Sequence, residues 1–346
     1  MGNPIALGTL LAVMAALAFG LTTPFIQRLG EGLGPFATAG LLYLGAALGT
    51  LPLPWRTSSE PPLCRAHLAR LAAVALLGAA VAPSLFVWGL QRIPATTASL
   101  LLNAEAVFTV ALAALVLHEH VGRRVARAVA LIAAGGVVAV AGSGEVAAGG
   151  LLGAGAVVAA VLCWALDNIL SRKLADLDPA AVVRGKALIG LALTFGLALL
   201  RAEPLPRLGV ALGLVVCGAT GYGLSLRLYL LAQRRIGSGR TGSIFALAPF
   251  LGAAAAAVMG DRGLGWATLA AGVLFTLGVA LHLTEKHRHQ HVHSELEHDH
   301  AHRHDDGHHD HHHDEHPEGA HSHPHRHAET SHSREHGPDL HHEHRH

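Results

Sequence analysis

The sequence predicts an all-α membrane protein: ten transmembrane helices as two inverted five-helix repeats, followed by a disordered, histidine-rich C-terminal tail. Three observations predict it. Apolar runs of about 20 residues, the length that crosses a bilayer, recur through the first 285 of the 346 residues. The stretch RIPATTASLLLNAEAVF from Arg92 returns in outline as RIGSGRTGSIFALAPF from Arg235. The composition changes abruptly after Lys286, beyond which 24 of the last 60 residues are His.

A mean hydropathy of +0.40 with 51% hydrophobic residues excludes an ordinary soluble enzyme. The expected spans are 4–26, 34–53, 68–90, 95–117, 125–143, 149–171, 180–200, 208–232, 238–260 and 264–284. They are rich in Gly and Ala, with Pro24, Pro83 and Pro249 inside them. Small residues let helices approach closely where lipid supplies no hydrophobic drive. A membrane barrel would need strands of about ten residues with alternating polarity, and no such alternation is present. The first run starts at Pro4 without a basic leader and is expected to be a retained helix rather than a cleaved signal. Cys64 falls in a loop while Cys163 and Cys217 fall inside spans, a distribution that suggests neither a disulfide framework nor a thiolate metal site.

Orientation follows from the basic residues. With the N-terminus cytoplasmic, the inner loops hold Arg56, Arg65, Arg70, Arg123, Arg124, Arg127, Arg172, Lys173, Arg234 and Arg235, and the outer loops hold Arg28, Arg92, Arg201, Arg207 and Arg262. Ten against five favours both termini inside. Five spans per half is an odd number, so the second half must enter the membrane in the opposite sense. The expected units are residues 1–143, residues 144–285 and a tail of 286–346. Inverted repeats of this kind suit alternating access to a site near the bilayer midplane.

The two halves share a pattern: a small-residue segment with Ser or Thr, an acidic turn and a Gly-rich helix. It reads Ala98, Ser99, Glu119 and Gly135-Gly136 in the first half, and Thr241, Gly242, Ser243, Pro249, Asp261 and Gly278 in the second. With CWALDNILSRKLADLDP from Cys163, KALIG from Lys186 and GRTGSIFALAPF from Gly239, the chain resembles the EamA-like permeases of the drug/metabolite transporter superfamily. The resemblance covers roughly residues 1–285. It implies secondary-active transport of a small metabolite, such as an amino acid or related compound, in the export direction. It also implies a multi-pass protein of the bacterial plasma (inner) membrane. One position departs from the pattern, because Glu105 stands where the second half carries Pro249.

Charged residues inside apolar spans cost about 2.5–3.5 kcal/mol each on insertion scales, which makes them functional candidates. Four stand out: Glu105, Asp167, Lys186 and Arg227. At 1.5 Å per helical residue, Lys186 and Arg227 lie roughly 10 Å and Asp167 roughly 8 Å from the inner ends of their helices. A shared Asp167, Lys186 and Arg227 network is expected if their helices face one another; long basic side chains that snorkel to the interface are the structural alternative. Glu105 lies roughly 16 Å deep, near the midplane. It is expected to exchange a proton during transport or to bind a cationic group of the substrate, a neutral interhelical hydrogen bond being the plainer role. Asn103, Asn168, Ser99, Thr241, Ser243 and Tyr222 complete the lining set, with Trp88, Trp164 and Phe245 as aromatic candidates.

In the tail, alternating runs at His287, His289, His291 and His293 and at His298, His300, His302 and His304 precede denser ones at His308, His309, His311, His312 and His313. Imidazoles interleaved with carboxylates suit Zn, Ni, Co and Cu ions. Histidine titrates at roughly pH 6.5, so acidification drives this tail toward positive charge. His118 and His120 flank Glu119 in an inner loop.

No GxxxxGK[ST] loop and no nucleophile constellation is present, so neither an enzyme nor direct ATP drive is expected. No cofactor is required, and the tail offers sites for Zn, Ni, Co or Cu ions. The expected partners are the bilayer, a small-molecule substrate, divalent metal ions and a second copy in a homodimer; nucleic acid is not among them. The competing reading is a divalent metal ion (Ni/Co/Zn) transporter or metal-responsive membrane protein, favoured by the tail but not by the span residues, which hold no clustered His or Cys.

Overall fold

The structure, a computed structural model, describes residues 4–51, 63–116, 122–142, 148–171, 174, 177–261 and 265–283, together with four tail segments. The body is all-helical. Its elements are α1 (Pro4–Gly20), α2 (Thr22–Leu29), α3 (Pro35–Gly49), α4 (Leu68–Ala75), α5 (Ala82–Leu90), α6 (Ala95–Leu101), α7 (Ala104–Val116) and α8 (Arg123–Gly142). They continue as α9 (Ala148–Ser171), α10 (Pro179–Leu200), α11 (Leu208–Cys217), α12 (Ser225–Phe245), α13 (Ala248–Val258) and α14 (Trp266–Leu283). Among the described residues, 7 helical stretches are long and apolar enough to cross a membrane, and Pro35–Gly49, Ala248–Val258 and Trp266–Leu281 are shorter apolar helices.

The bundle is packed for lipid. Its interior is built largely of small side chains such as Ala12, Ala39, Ala79, Ala160 and Ala271. Its outside carries Leu200, Trp266 and Val258, each more than four-fifths exposed. A water-soluble protein would bury those side chains. Small interior residues allow backbone contact: a Cβ on Gly218 would overlap the Leu42 carbonyl, so α3 and the α11–α12 helix touch main chain to main chain.

Three features depart from ten plain spans. First, two helices are π-wound in the middle: Leu76–Val81 joins α4 to α5, and Gly218–Leu224 joins α11 to α12. Second, the expected span 95–117 is broken between α6 and α7 at Leu102-Asn103, with a matching break at Ala246-Leu247 between α12 and α13. Third, the expected loop between spans 208–232 and 238–260 is helical, because α12 continues to Phe245. That helix nevertheless reverses. The rings of Tyr229 and Phe245 lie 5.0 Å apart, whereas a straight helix would separate residues sixteen apart by about 24 Å. Ser225 bonds the Ala15 carbonyl at 2.8 Å and Ile236 approaches Gly8, so the chain first runs back along α1. It then returns with Phe245 on Phe19 and Ala248 on Gly20.

Helix ends at one face are closed by side chains from other elements. Gln27 donates to the Leu90 and Ile93 carbonyls at 2.7 and 2.8 Å, and Gln91 returns to Gly30 and Leu33 at 2.9 and 3.0 Å. Glu203 accepts from the Ala37 amide at 2.7 Å, and Asp261 from the Thr96 amide at 2.7 Å and its hydroxyl at 2.8 Å. Each satisfies backbone groups that a helix terminus leaves unpaired.

The described tail segments are extended. His287–His293 pairs antiparallel with Thr330–His336, and Leu296–His302 with His321–His327. The His-x-His alternation has the period of two that an extended backbone accommodates.

Candidate functional site

Two consecutive residues of α9, Asp167 buried and Asn168 exposed, organise the polar cluster. Neighbouring positions on a helix point about 100° apart, so Asp167 and Asn168 address different partners. Asp167 forms an ion pair with Lys186 of α10, the two side chains being 4% and 14% exposed. Ser171, one turn along, donates to the other carboxylate oxygen at 3.2 Å. Asn168 turns instead to α7 and donates to Glu105 Oε1 at 2.6 Å.

The π-wound segment between α4 and α5 presses on the ion pair. A Cβ on Gly78 would overlap the Asp167 carboxylate and stand 2.9 Å from Lys186 Nζ, so only glycine allows this approach. The Gly78 carbonyl accepts from Tyr43 Oη at 2.8 Å and from Trp164 Nε1 at 3.1 Å. One backbone position thus ties α3 and α9 together beside a buried charge pair.

Glu105 owes its position to the break in its helix. It is the second residue of α7, where the N-terminal end of the helix dipole favours a negative charge. Asn103 lies in the break and donates to the Leu100 carbonyl at 3.0 Å, satisfying the end of α6. Pro249 is likewise the second residue of α13. Glu105 therefore replaces Pro249 at the same structural place in the other half.

Aromatic rings run from this polar set across the interior. Tyr43 meets Tyr222 at 5.6 Å, Tyr222 meets Phe19 at 6.0 Å, Phe19 meets Phe245 at 5.8 Å, and Phe245 meets Tyr229 at 5.0 Å. All 3 tyrosines of the chain are in the row. Tyr43 ends the row on the Gly78 carbonyl, beside the Asp167–Lys186 pair.

Of the residues singled out in the sequence, Glu105, Asn168, Asp167 and Lys186 come together. The expected three-way network does not form: Lys186 pairs with Asp167, and Arg227, half-buried on α12, does not join that pair. Ser99 is fully buried against Gly252, at the contact of α6 with α13. Thr241 is also fully buried, and Ser243 lies on α12 with its side chain outside the described residues. Gly78 and Tyr43 were not among the expected residues. A tyrosine in the middle of an otherwise apolar span is the signal that points to Tyr43, whereas nothing in LLGAAVAP marks Gly78 as touching a charge.

Among the described residues no group of three or more His, Cys, Asp or Glu could hold a metal ion. His287, His289, His291, His293, His298, His300 and His302 lie on the tail strands. His304, His308, His309, His311, His312 and His313 lie outside the described residues, as do His118, Glu119 and His120.

Three comparisons bear on this arrangement. A solved crystal structure of a protein 21% identical superposes with a TM-score of 0.56, covering 80% of this chain and 96% of that one, a likeness of fold. An "Uncharacterized transporter" of Methanothermobacter thermautotrophicus is 31% identical over 203 residues. The match spans 56% of this chain and 58% of that relative's length. The model of the EamA-like transporter family matches twice, over residues 6–141 and 151–284. Two family-length matches on a multi-helix membrane body make this chain a member of the EamA-like transporter family, in the drug/metabolite transporter superfamily.

Proposed function

We propose that the protein is a secondary-active exporter of a small zwitterionic metabolite, such as an amino acid or a related compound, in the bacterial plasma membrane. The observation that carries this reading is the linked set Glu105, Asn168, Asp167, Lys186, which gathers two carboxyls and one ammonium around one turn of α9. A zwitterion offers a partner to each sign. Its ammonium group would meet Glu105, whose present partner is a neutral amide, and its carboxylate would compete with Asp167 for Lys186. Release of the substrate would leave Glu105 to take up a proton, which supplies the coupling.

The reading takes the seven long and three shorter apolar helices as ten passes with both termini cytoplasmic, in units of residues 1–143 and 144–285. Contacts between the halves support inversion. Gly40 meets Phe195 while Gly190 meets Tyr43, and Gly135 meets Phe275 while Gly278 meets Ile132. Higher numbers on one helix meet lower numbers on the other, so α3 runs antiparallel to α10, and α8 to α14. That is the relation an odd number of passes per half imposes.

The test is counterflow of radiolabelled amino acids into proteoliposomes under an imposed pH gradient. Uptake driven by the gradient, and lost in Lys186→Gln, supports the reading; flux indifferent to both opposes it. A second reading, export of divalent metal, is favoured by the His-rich tail. Removal of residues 287–346 separates the two: organic flux should survive the deletion, whereas a metal exporter should lose metal tolerance.

A further inference from the structure

The two π-wound segments occupy corresponding places. Setting Arg92-Ile93 on Arg235-Ile236 puts Gly78 on Gly221. Setting WALDNILSRKL, residues 164–174, on FGLTTPFIQRL, residues 19–29, puts Asp167 on Thr22. These correspondences come from sequence alone, yet the structure joins the same positions in both halves. Gly78 abuts Asp167, and a Cβ on Gly221 would stand 2.6 Å from Thr22 Oγ1. Each glycine lies in a π-wound turn, a feature concentrated at functional sites in helices. The second π segment also touches α3, with Gly223 at Ala46. Both contacts therefore fasten the third helix of one half to the first helix of the other.

We propose that Gly78 on Asp167 and Gly221 on Thr22 are the two closing points of the transport path, one toward each membrane face, related by the internal duplication. The inference rests on the inverted ten-pass arrangement proposed above, and not on the identity of the substrate. Inversion puts the two contacts in opposite leaflets. Asp167 is four residues from the end of α9, and Thr22 is seven from the end of α2. The closures differ in chemistry. At Gly78 the contact is locked by the Asp167–Lys186 pair. At Gly221 it meets a neutral hydroxyl already committed to the Phe19 carbonyl at 2.6 Å. A charged substrate or a proton can unlock the first by separating an ion pair, and has no such purchase on the second.

The test is a pair of distances measured by double electron–electron resonance in lipid nanodiscs, with the native cysteines replaced. Spin labels at Ala69 and Leu170 report the Gly78 end; labels at Leu212 and Phe25, their counterparts under the same two alignments, report the Gly221 end. All four positions are exposed. Gly78→Ala should lengthen the 69–170 distance by about 5 Å, one helical turn, and leave 25–212 unchanged or shorter. Gly221→Ala should do the reverse. Asp167→Asn combined with Lys186→Gln keeps Gly78 in place without leaving a lone buried charge, and should lengthen 69–170 alone, which keeps the test decisive where Gly78→Ala does not fold. Both glycine variants moving the same pair, or neither pair moving in monodisperse protein, would overturn the proposal. Impermeant-maleimide labelling of Cys64 reads the orientation separately: labelling from outside refutes the cytoplasmic placement while reciprocal distance changes still identify the two closing points.

Discussion

Removing one member of the Asp167–Lys186 pair should cost far more than removing both. The side chains are 4% and 14% exposed, so little water is at hand to replace a lost partner. Two unit charges about 4 Å apart attract by about 4 kcal/mol at an effective dielectric of about 20. Breaking a buried pair on one side typically costs about 3–5 kcal/mol, because the remaining charge stays buried alone. Asp167→Asn and Lys186→Gln are each expected to destabilise the protein by about that amount. Asp167→Asn with Lys186→Gln leaves two neutral amides, and should recover about 2–3 kcal/mol relative to the sum of the single changes, the upper range for directly contacting groups. The assay is an SDS-unfolding titration of the purified protein in mixed micelles, run as a double-mutant cycle. Transport should not recover with stability, because the double variant has lost both charges offered to the substrate. Additivity of the two single changes within about 0.5 kcal/mol would mean that the pair is not energetically coupled, and the reasoning from burial would fail.

Other outcomes follow from the same contacts. Glu105→Gln keeps an acceptor for Asn168 but cannot exchange a proton, so flux should lose its dependence on pH while the protein stays folded; an unchanged pH profile in proteoliposomes refutes a coupling role. Gly218→Ala, whose added Cβ would overlap the Leu42 carbonyl, should lower the thermal midpoint sharply, whereas Gly272→Ala in α14, with nothing within 4 Å of the added carbon, should be neutral or stabilise by about 0.5–1 kcal/mol. Deleting residues 287–346 should abolish Ni and Zn binding in calorimetry and leave the helix content of the body, read by circular dichroism, intact.

The helical body is legible in the sequence because lipid imposes a length and a polarity on every span. Asp167, Asn168, Lys186 and Glu105 were also legible, since charge and amide are costly in apolar helices and the sequence shows them directly. Their pairing was less so. Depth along an axis predicted one layer for Asp167, Lys186 and Arg227, but rotation about the axis decides which side chains meet, and that places Lys186 on Asp167 and not Arg227. The breaks and π-wound turns were hidden for a different reason. Leu102-Asn103 and Leu76–Val81 carry no proline to mark a break, and what holds them in place are contacts from other helices, such as Tyr43 and Trp164 on the Gly78 carbonyl. Gly78 itself looks like any packing glycine until its neighbour is known.

A duplicated transporter faces a problem that its symmetry cannot solve. Two identical halves in opposite orientation build identical closures at the two faces, and a substrate that unlocks one unlocks the other with the same free energy. Direction then comes only from concentration. This chain departs from its own repeat at three interior places. Glu105 replaces Pro249 after the helix break, Asp167 replaces Thr22 against a π-wound glycine, and Lys186 supplies a countercharge to Asp167. The acidic turn residues Glu203 and Asp261 do not join this set; they close helix N-termini on α3 and α6. Glu105, Asp167 and Lys186 thus gather at one closure and the helix break beside it, joined through the adjacent Asp167 and Asn168, while the buried Arg184 is held at the Thr50 carbonyl. An event at Glu105 reaches the ion pair through a single turn of α9, whereas the closure at Thr22 carries a neutral hydroxyl bonded to the Phe19 carbonyl, which is the asymmetry that a coupled, one-way cycle needs.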